Sequence, residues 1–160
     1  IEHGTYLDEE TCALMTQRGT YFVPTMSTWD ARDRLGRLYG MTDAERTAAM
    51  DRKENSIASF KRALAAGVRI AAGTDAGGSP ARHGFIAREL ELMVDSGMSP
   101  NAALESATRA GAQLMGIQDL AGTIEVGKQA DMVLIDGDPL SDVGALRNVW
   151  AVFQAGRRVR

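Results

Sequence analysis

Arg69-Ile70-Ala71-Ala72-Gly73-Thr74-Asp75-Ala76-Gly77-Gly78 is an apolar run that ends in an acid and then in glycines. Val68, Ile70 and Ala71 are small or β-branched, the composition of a short strand buried on both faces of a parallel sheet. Gly73 and Gly77 let the backbone turn sharply at its end. Asp75 is the first charged group beyond that core, and in parallel α/β folds ligands bind outside the carboxyl ends of the strands. Asp also caps turns by accepting from nearby backbone N–H groups, and on this stretch alone that is the simpler reading.

Working back from this strand, Thr42 caps a long helix with Ile57, Phe60 and Leu64 on one face, ended by Gly67. Between Asp30 and Gly40, Leu35, Leu38 and Tyr39 among arginines and aspartates predict a short amphipathic helix lying over the surface. Tyr21-Phe22-Val23 is a second short strand, closed by Pro24. Ile1 to His3 reads as the end of a third, followed by Gly4. Between those two, Asp8 caps a helix with Glu9 and Glu10 in its first turn, and Gly19 ends it.

Downstream, Gly73 to Gly84 is a loop, and Ile86, Leu90, Met93 and Val94 mark a helical face that stops at Gly97. Ser99-Pro100 opens a further helix carrying Leu104, Ala107, Thr108, Gly111 and Met115. Helix-length connections between the strands predict parallel pairing, and three such strands do not close a barrel. From Ile117 the character changes. Turn glycines precede the apolar strand Met132-Val133-Leu134-Ile135, Asp136-Gly137-Asp138-Pro139 is a turn, and a last strand over Val149 to Gln154 leads to a turn at Ala155-Gly156-Arg157. The expected class is α/β over residues 1–116, with a small β tail over 117–160.

With 160 residues the chain can bury a core without disulfides or a structural metal. A formal charge of −3 with scattered acids and bases offers no basic face, so a nucleic-acid partner is not expected. The basic run Arg157-Arg158-Val159-Arg160 reads as a solvated chain end. Cys12 has no partner for a bridge and fits a buried thiol in a reducing compartment, hence a cytoplasmic protein. No apolar run is long enough to cross a bilayer, and no membrane partner is expected. The start at Ile1, inside Ile-Glu-His-Gly, reads as that of a chain whose beginning lies elsewhere. Met41, Met50, Met93, Met98 and Met115 read as core filler.

His3 and Asp75 stand at two strand ends that parallel pairing would place on one rim. Imidazole and carboxylate together are ligands for zinc and similar divalent ions. By themselves, two such residues are a weak signal, since a lone His or Asp near a strand end is more often a hydrogen-bonded structural group. His83 and Arg82 follow Asp75 on its loop, where Arg82 could meet a substrate carboxylate with its two-pronged guanidinium; solvated side chains are the plainer alternative. Trp29 and Tyr39 either line a pocket or pack into the core.

Four segments together resemble the C-terminal portion of the amidohydrolase superfamily of metal-dependent hydrolases. Ile-Glu-His-Gly at 1–4 is similar to the sixth strand of the family's barrel, Phe-Val-Pro-Thr at 22–25 to the seventh, and Ala-Gly-Thr-Asp-Ala-Gly at 72–77 to the eighth. Leu120 to Leu140, with Gly-Thr-Ile-Glu-Val-Gly-Lys-Gln-Ala-Asp-Met-Val-Leu, resembles the tail that returns to a β-sandwich and is the most specific of the four. The Glu-His-Gly and Val-Pro-Thr segments look most like the prolidase-like dipeptidases and imidazolonepropionase-related proteins.

The resemblance implies the last three strands, with their helices, of a (β/α)8 TIM-like barrel, followed by a β tail that belongs to a composite sandwich. It implies His3 and Asp75 as metal ligands, Asp75 also as the catalytic acid–base group, and one or two divalent ions, zinc first among them. The substrate class it implies is a small molecule with a C–N amide bond, such as a dipeptide or N-acyl amino acid. A full barrel runs to roughly 250 residues. The family's His-x-His pair, bridging lysine and further histidine are not in this sequence, so an isolated fragment would be inactive and would need the missing N-terminal part or a homo-oligomer. Two alternatives stay open: a non-catalytic half-barrel that needs a partner, and a single-metal deaminase of the same superfamily.

Overall fold

The computed structural model describes residues 1–77 and 80–160. Gly78 and Ser79, at the end of the opening stretch and inside the loop expected from Gly73 to Gly84, lie outside the described residues.

The centre is parallel, as the helix-length connections require. Strand β1 (Tyr21–Phe22) lies beside β2 (Arg69–Ile70), with Tyr21 opposite Arg69 and Phe22 opposite Ile70. The Ile1–His3 segment joins the other edge of β1 through Glu2 opposite Val23, where His3 N donates to Val23 O at 2.9 Å. All three run the same way, so their carboxyl ends share one rim. Val68, Ile70 and Ala71 are buried as expected. Arg69 interrupts that burial, its guanidinium lying 4.3 Å from the centre of the Tyr21 ring.

Helix α1 (Glu9–Arg18) starts on Asp8, whose carboxylate accepts from Thr11 N, and ends at left-handed Gly19; it buries Cys12 and Met15. Helix α3 (Asp43–Ala65) opens with a capping box between Thr42 and Glu45 and buries Phe60 and Ala63. Helix α4 (Ile86–Asp95) buries Leu90 and Met93, and α5 (Pro100–Ala107) starts on the Ser99 cap. These apolar faces meet Phe22, Met26 and Ile70 in one core.

The surface helix expected at 30–40 is corrected. Helix α2 spans Met26–Leu35 and passes into a 3₁₀ turn at Gly36–Tyr39. It buries Met26, Ser27, Thr28, Asp30 and Ala31, while Leu38 is 81% exposed. Ion pairing from neighbouring helices buries an acid here, which an apolar pattern cannot register. The helix expected to run on from Ser99 breaks at Thr108 (φ −123, ψ −89), giving α6 (Arg109–Leu114). There the Ser106 carbonyl accepts from Ala72 N at 2.9 Å and Thr108 Oγ1 donates back to Leu104 O, which compete with the helical ladder. Met93 and Met98 fill the core, but Met50 and Met115 are exposed.

Residues 132–158 form an antiparallel sheet of β3 (Met132–Ile135), β4 (Val149–Gln154) and β5 (Arg157–Arg158). Ala155 and Gly156 both take positive φ, as a tight hairpin requires, so Arg157 and Arg158 pair with β4 while remaining exposed to solvent as expected. Val143 reaches the main core, and Arg147 forks onto Glu91 of α4 at 2.7 and 2.8 Å. Among the described residues no helix is long and apolar enough to cross a membrane.

Gly73 brings the end of β2 against β1 closely enough that a Cβ there would lie 2.5 Å from Val23 Cγ1. Gly73→Ala is expected to cost about 1–3 kcal/mol by overpacking, measured by denaturant unfolding. Adding Val23→Ala should recover much of it. A variant with the parent's midpoint would show that the approach is not tight.

Candidate active site

Three residues on the shared rim hold a left-handed backbone without being glycine: His3 (φ 64), Thr25 (φ 50) and Asp75 (φ 49). His and Asp visit this region with little difficulty, but for a β-branched Thr it is a real strain, on the order of 1–3 kcal/mol. Such strain persists only where the surroundings dictate it. Thr25 is 1% exposed, and its Oγ1 lies 2.8 Å from His3 Nδ1. In the tautomer that donates from Nδ1 to that oxygen, His3 Nε2 keeps its lone pair, the form a metal ligand needs.

Asp75 lies five positions past the end of β2, exposed, with no side-chain bond or ion pair among the described residues. Its loop is tied to α2: Thr28 Oγ1 donates to Thr74 O at 2.8 Å, and Thr28 N donates to Thr25 O at 3.1 Å. One helical turn therefore touches the His3 ring at one end and the backbone next to Asp75 at the other. An imidazole with one free nitrogen and an open carboxylate suit a divalent ion as two of its ligands. Among the described residues no three His, Cys, Asp or Glu gather into a complete set.

Two buried acids support this turn, and sequence reading missed both. Glu89 accepts from Met26 N at 3.0 Å and from Ser27 N at 2.6 Å. Burial pushes its pKa up to about 7, against the opposing effect of those bonds. Asp30 receives Arg88 Nε at 2.8 Å, Arg88 Nη2 at 3.1 Å and Lys53 Nζ at 2.8 Å. Burial would raise the Asp30 carboxyl, but bonds from Arg88 and Lys53 outweigh it and hold the pKa down to about 2. The available signal was spacing: Asp30 stands four residues from Met26 and Glu89 four from Met93, each on the face its helix buries.

Arg82 and His83 are both exposed. The Arg82 guanidinium lies 5.4 Å from the centre of the Tyr39 ring, which joins two residues that the sequence singled out separately. His83 is exposed and makes no side-chain bond among the described residues. Trp29 is half-buried, with the Arg32 and Arg52 guanidinium groups each 5.3 Å from its ring centre.

Three known proteins are similar to this chain over most of its length. Ochratoxinase from Aspergillus niger is 30% identical over 164 residues, an alignment covering 95% of this chain and 31% of that protein. A 5-methylthioadenosine/S-adenosylhomocysteine deaminase from Desulforudis audaxviator is 30% identical over 135 residues, covering 76% of this chain and 31% of its own. The crystal structure of a Xaa-Pro dipeptidase with methionine bound in the active site matches with a TM-score of 0.89 at 37% identity, over 100% of this chain and 39% of that one. The chain thus spans about a third to two-fifths of the length of these relatives. The model of the amidohydrolase family matches residues 1–159, the parallel rim and the antiparallel tail alike, and the chain belongs to that family.

Proposed function

We propose that this chain is part of a metal-dependent hydrolase that cleaves a C–N amide bond in a small substrate, a dipeptide or an N-acyl amino acid. Residues 1–116 then supply the last three strands of a (β/α)8 barrel, and residues 117–160 a part of the composite sandwich. The observation that carries the reading is the tie between His3, anchored through Nδ1 on Thr25, and the loop of exposed Asp75, through one turn of α2. The likeness to the Xaa-Pro dipeptidase favours a dipeptide substrate.

His3 and Asp75 would hold the ion, zinc first among the candidates, with the remaining ligands supplied from outside this chain. When bound, such an ion lowers the pKa of water from about 15.7 towards roughly 7 and polarises the scissile carbonyl. Asp75 accepts the proton of the attacking water and delivers it to the leaving nitrogen. The Thr25 bond fixes the orientation of the His3 ring. Arg82, stacked on Tyr39, is placed to meet a substrate carboxylate, with His83 beside it on the same loop. The buried Cys12 thiol suits a reducing, cytoplasmic setting.

The test is made on the full-length protein, stripped with a chelator and reloaded with zinc. Metal-dependent release of amino acids from dipeptides or N-acyl amino acids is expected. Ammonia release from aminopurine nucleosides in its place would move the protein to the deaminase reading, which the Desulforudis relative favours. Full activity without metal would remove both.

A further inference from the structure

Beneath the rim lies a carboxylate that no step of the proposed reaction uses. Glu89 is fully buried on α4, and both of its oxygens accept from the first turn of α2, at Met26 N and Ser27 N. These amides belong to the set that every helix leaves open at its start, and a carboxylate there is favoured by the helix dipole. A cap residue usually serves them with its own side chain. Thr25 stands at that position but makes no such bond, because its Oγ1 is engaged with His3 Nδ1. The capping task falls instead to a side chain more than sixty residues further along the chain.

The division of labour has a geometric result. Thr25 can hold a strained, left-handed backbone and present its hydroxyl to His3 because the amides that follow it are fixed from below. The same turn carries Thr28, which holds the Thr74 carbonyl next to Asp75. The geometry points to Glu89 as the positioning residue of this rim: its carboxylate fixes the turn that orients the His3 ring and sets it against the Asp75 loop. The effect on metal affinity rests on the proposed role of His3 as a ligand; the orientation of the ring does not.

A merely structural Glu89 would change stability and nothing at His3, so the ring itself is the readout. In the full-length protein without metal, ¹⁵N spectra of labelled histidine are expected to show His3 locked in the Nδ1–H form. Glu89→Gln keeps the size but turns an amide NH₂ towards one of the two backbone donors. The His3 signals should then move towards a mixture of tautomers, and zinc affinity should fall about 10–100-fold, the usual effect of losing a residue behind a ligand. Thr25→Val should give a loss of the same size, and the double variant no more than either alone, because both changes act on one path.

Parent-like His3 spectra and zinc affinity in Glu89→Gln, whatever its stability, overturn the proposal, as does a loss that adds to that of Thr25→Val. If Glu89→Gln does not fold, Glu89→Asp takes its place: it keeps the charge but is one methylene too short for both amides, and the same two outcomes decide. His3→Ala separates the two readings. Unchanged zinc affinity there removes the ligand role of His3, and the tautomer spectra still judge Glu89.

Discussion

Full-length protein carrying Asp75→Asn is expected to unfold at the parent's midpoint and to lose turnover by about a hundredfold to ten-thousandfold, the range for a positioned general acid–base group. The stability half of this expectation follows from the position. Asp75 is exposed, it makes no side-chain bond among the described residues, and Asn occupies the left-handed region as readily as Asp. The activity half follows from charge. Asn cannot take up the proton of an attacking water, and it is a poorer ligand for a cation. Steady-state kinetics on a dipeptide substrate, beside a thermal melt, checks both. Near-parental rates in a folded variant would sink the assignment of Asp75.

The second large effect is on stability. Asp30→Asn leaves the cationic groups of Arg88 and Lys53 without their buried partner, and removal of one member of a buried pair typically costs about 3–5 kcal/mol. Arg88 keeps Glu91 and Lys53 keeps Asp33, and each cation is about a fifth exposed, so about 3 kcal/mol is expected. The depressed pKa leads to a similar figure: a fall from 3.8 to about 2, at about 1.4 kcal/mol for each tenfold change in proton affinity, is about 2.5 kcal/mol.

The pH dependence has a definite sign. The folded state holds the Asp30 proton less tightly than the unfolded chain does, so its stabilisation is complete above about pH 4 and is lost as pH falls towards 2. Glu89 runs the other way. Its folded pKa is raised from 4.5 to about 7, so the folded state binds the proton more tightly and stability declines as pH rises between those values. Urea midpoints measured from pH 2 to 8 should fall at the acid end in the parent and flatten there in Asp30→Asn. An unchanged acid limb in the variant would show that Asp30 is not the titrating group.

Much of this was written locally. Asp8, Thr42 and Ser99 cap helices where the sequence places them, because a short polar side chain ahead of a helical run satisfies amides within three residues of itself. His3 and Asp75 follow the carboxyl ends of strands that pair in parallel, as the helix-length segments between those strands predict. The periodicity of apolar residues also found buried Phe60 on α3 and Leu90 and Met93 on α4, although Ile86, expected on the same face, is 41% exposed.

What the sequence could not express was the meaning of a charged residue on such a face. Asp30 and Glu89 look like breaks in an apolar stripe, and only the fold supplies Arg88 and Lys53 for the one and the amides of α2 for the other, from positions 58 and 63 residues away for Arg88 and Met26. For the same reason α2 begins four residues earlier than its composition suggests, Leu38 faces solvent, and the helix from Ser99 breaks where Ser106 turns to Ala72. Thr25 was read only as the end of a strand motif, yet it is the residue that meets His3. Local chemistry thus determined the elements, their caps and the two rim residues. Tertiary structure decided which polar groups are buried and what they hold, because the free energy of a buried charge depends on partners that only folding brings near.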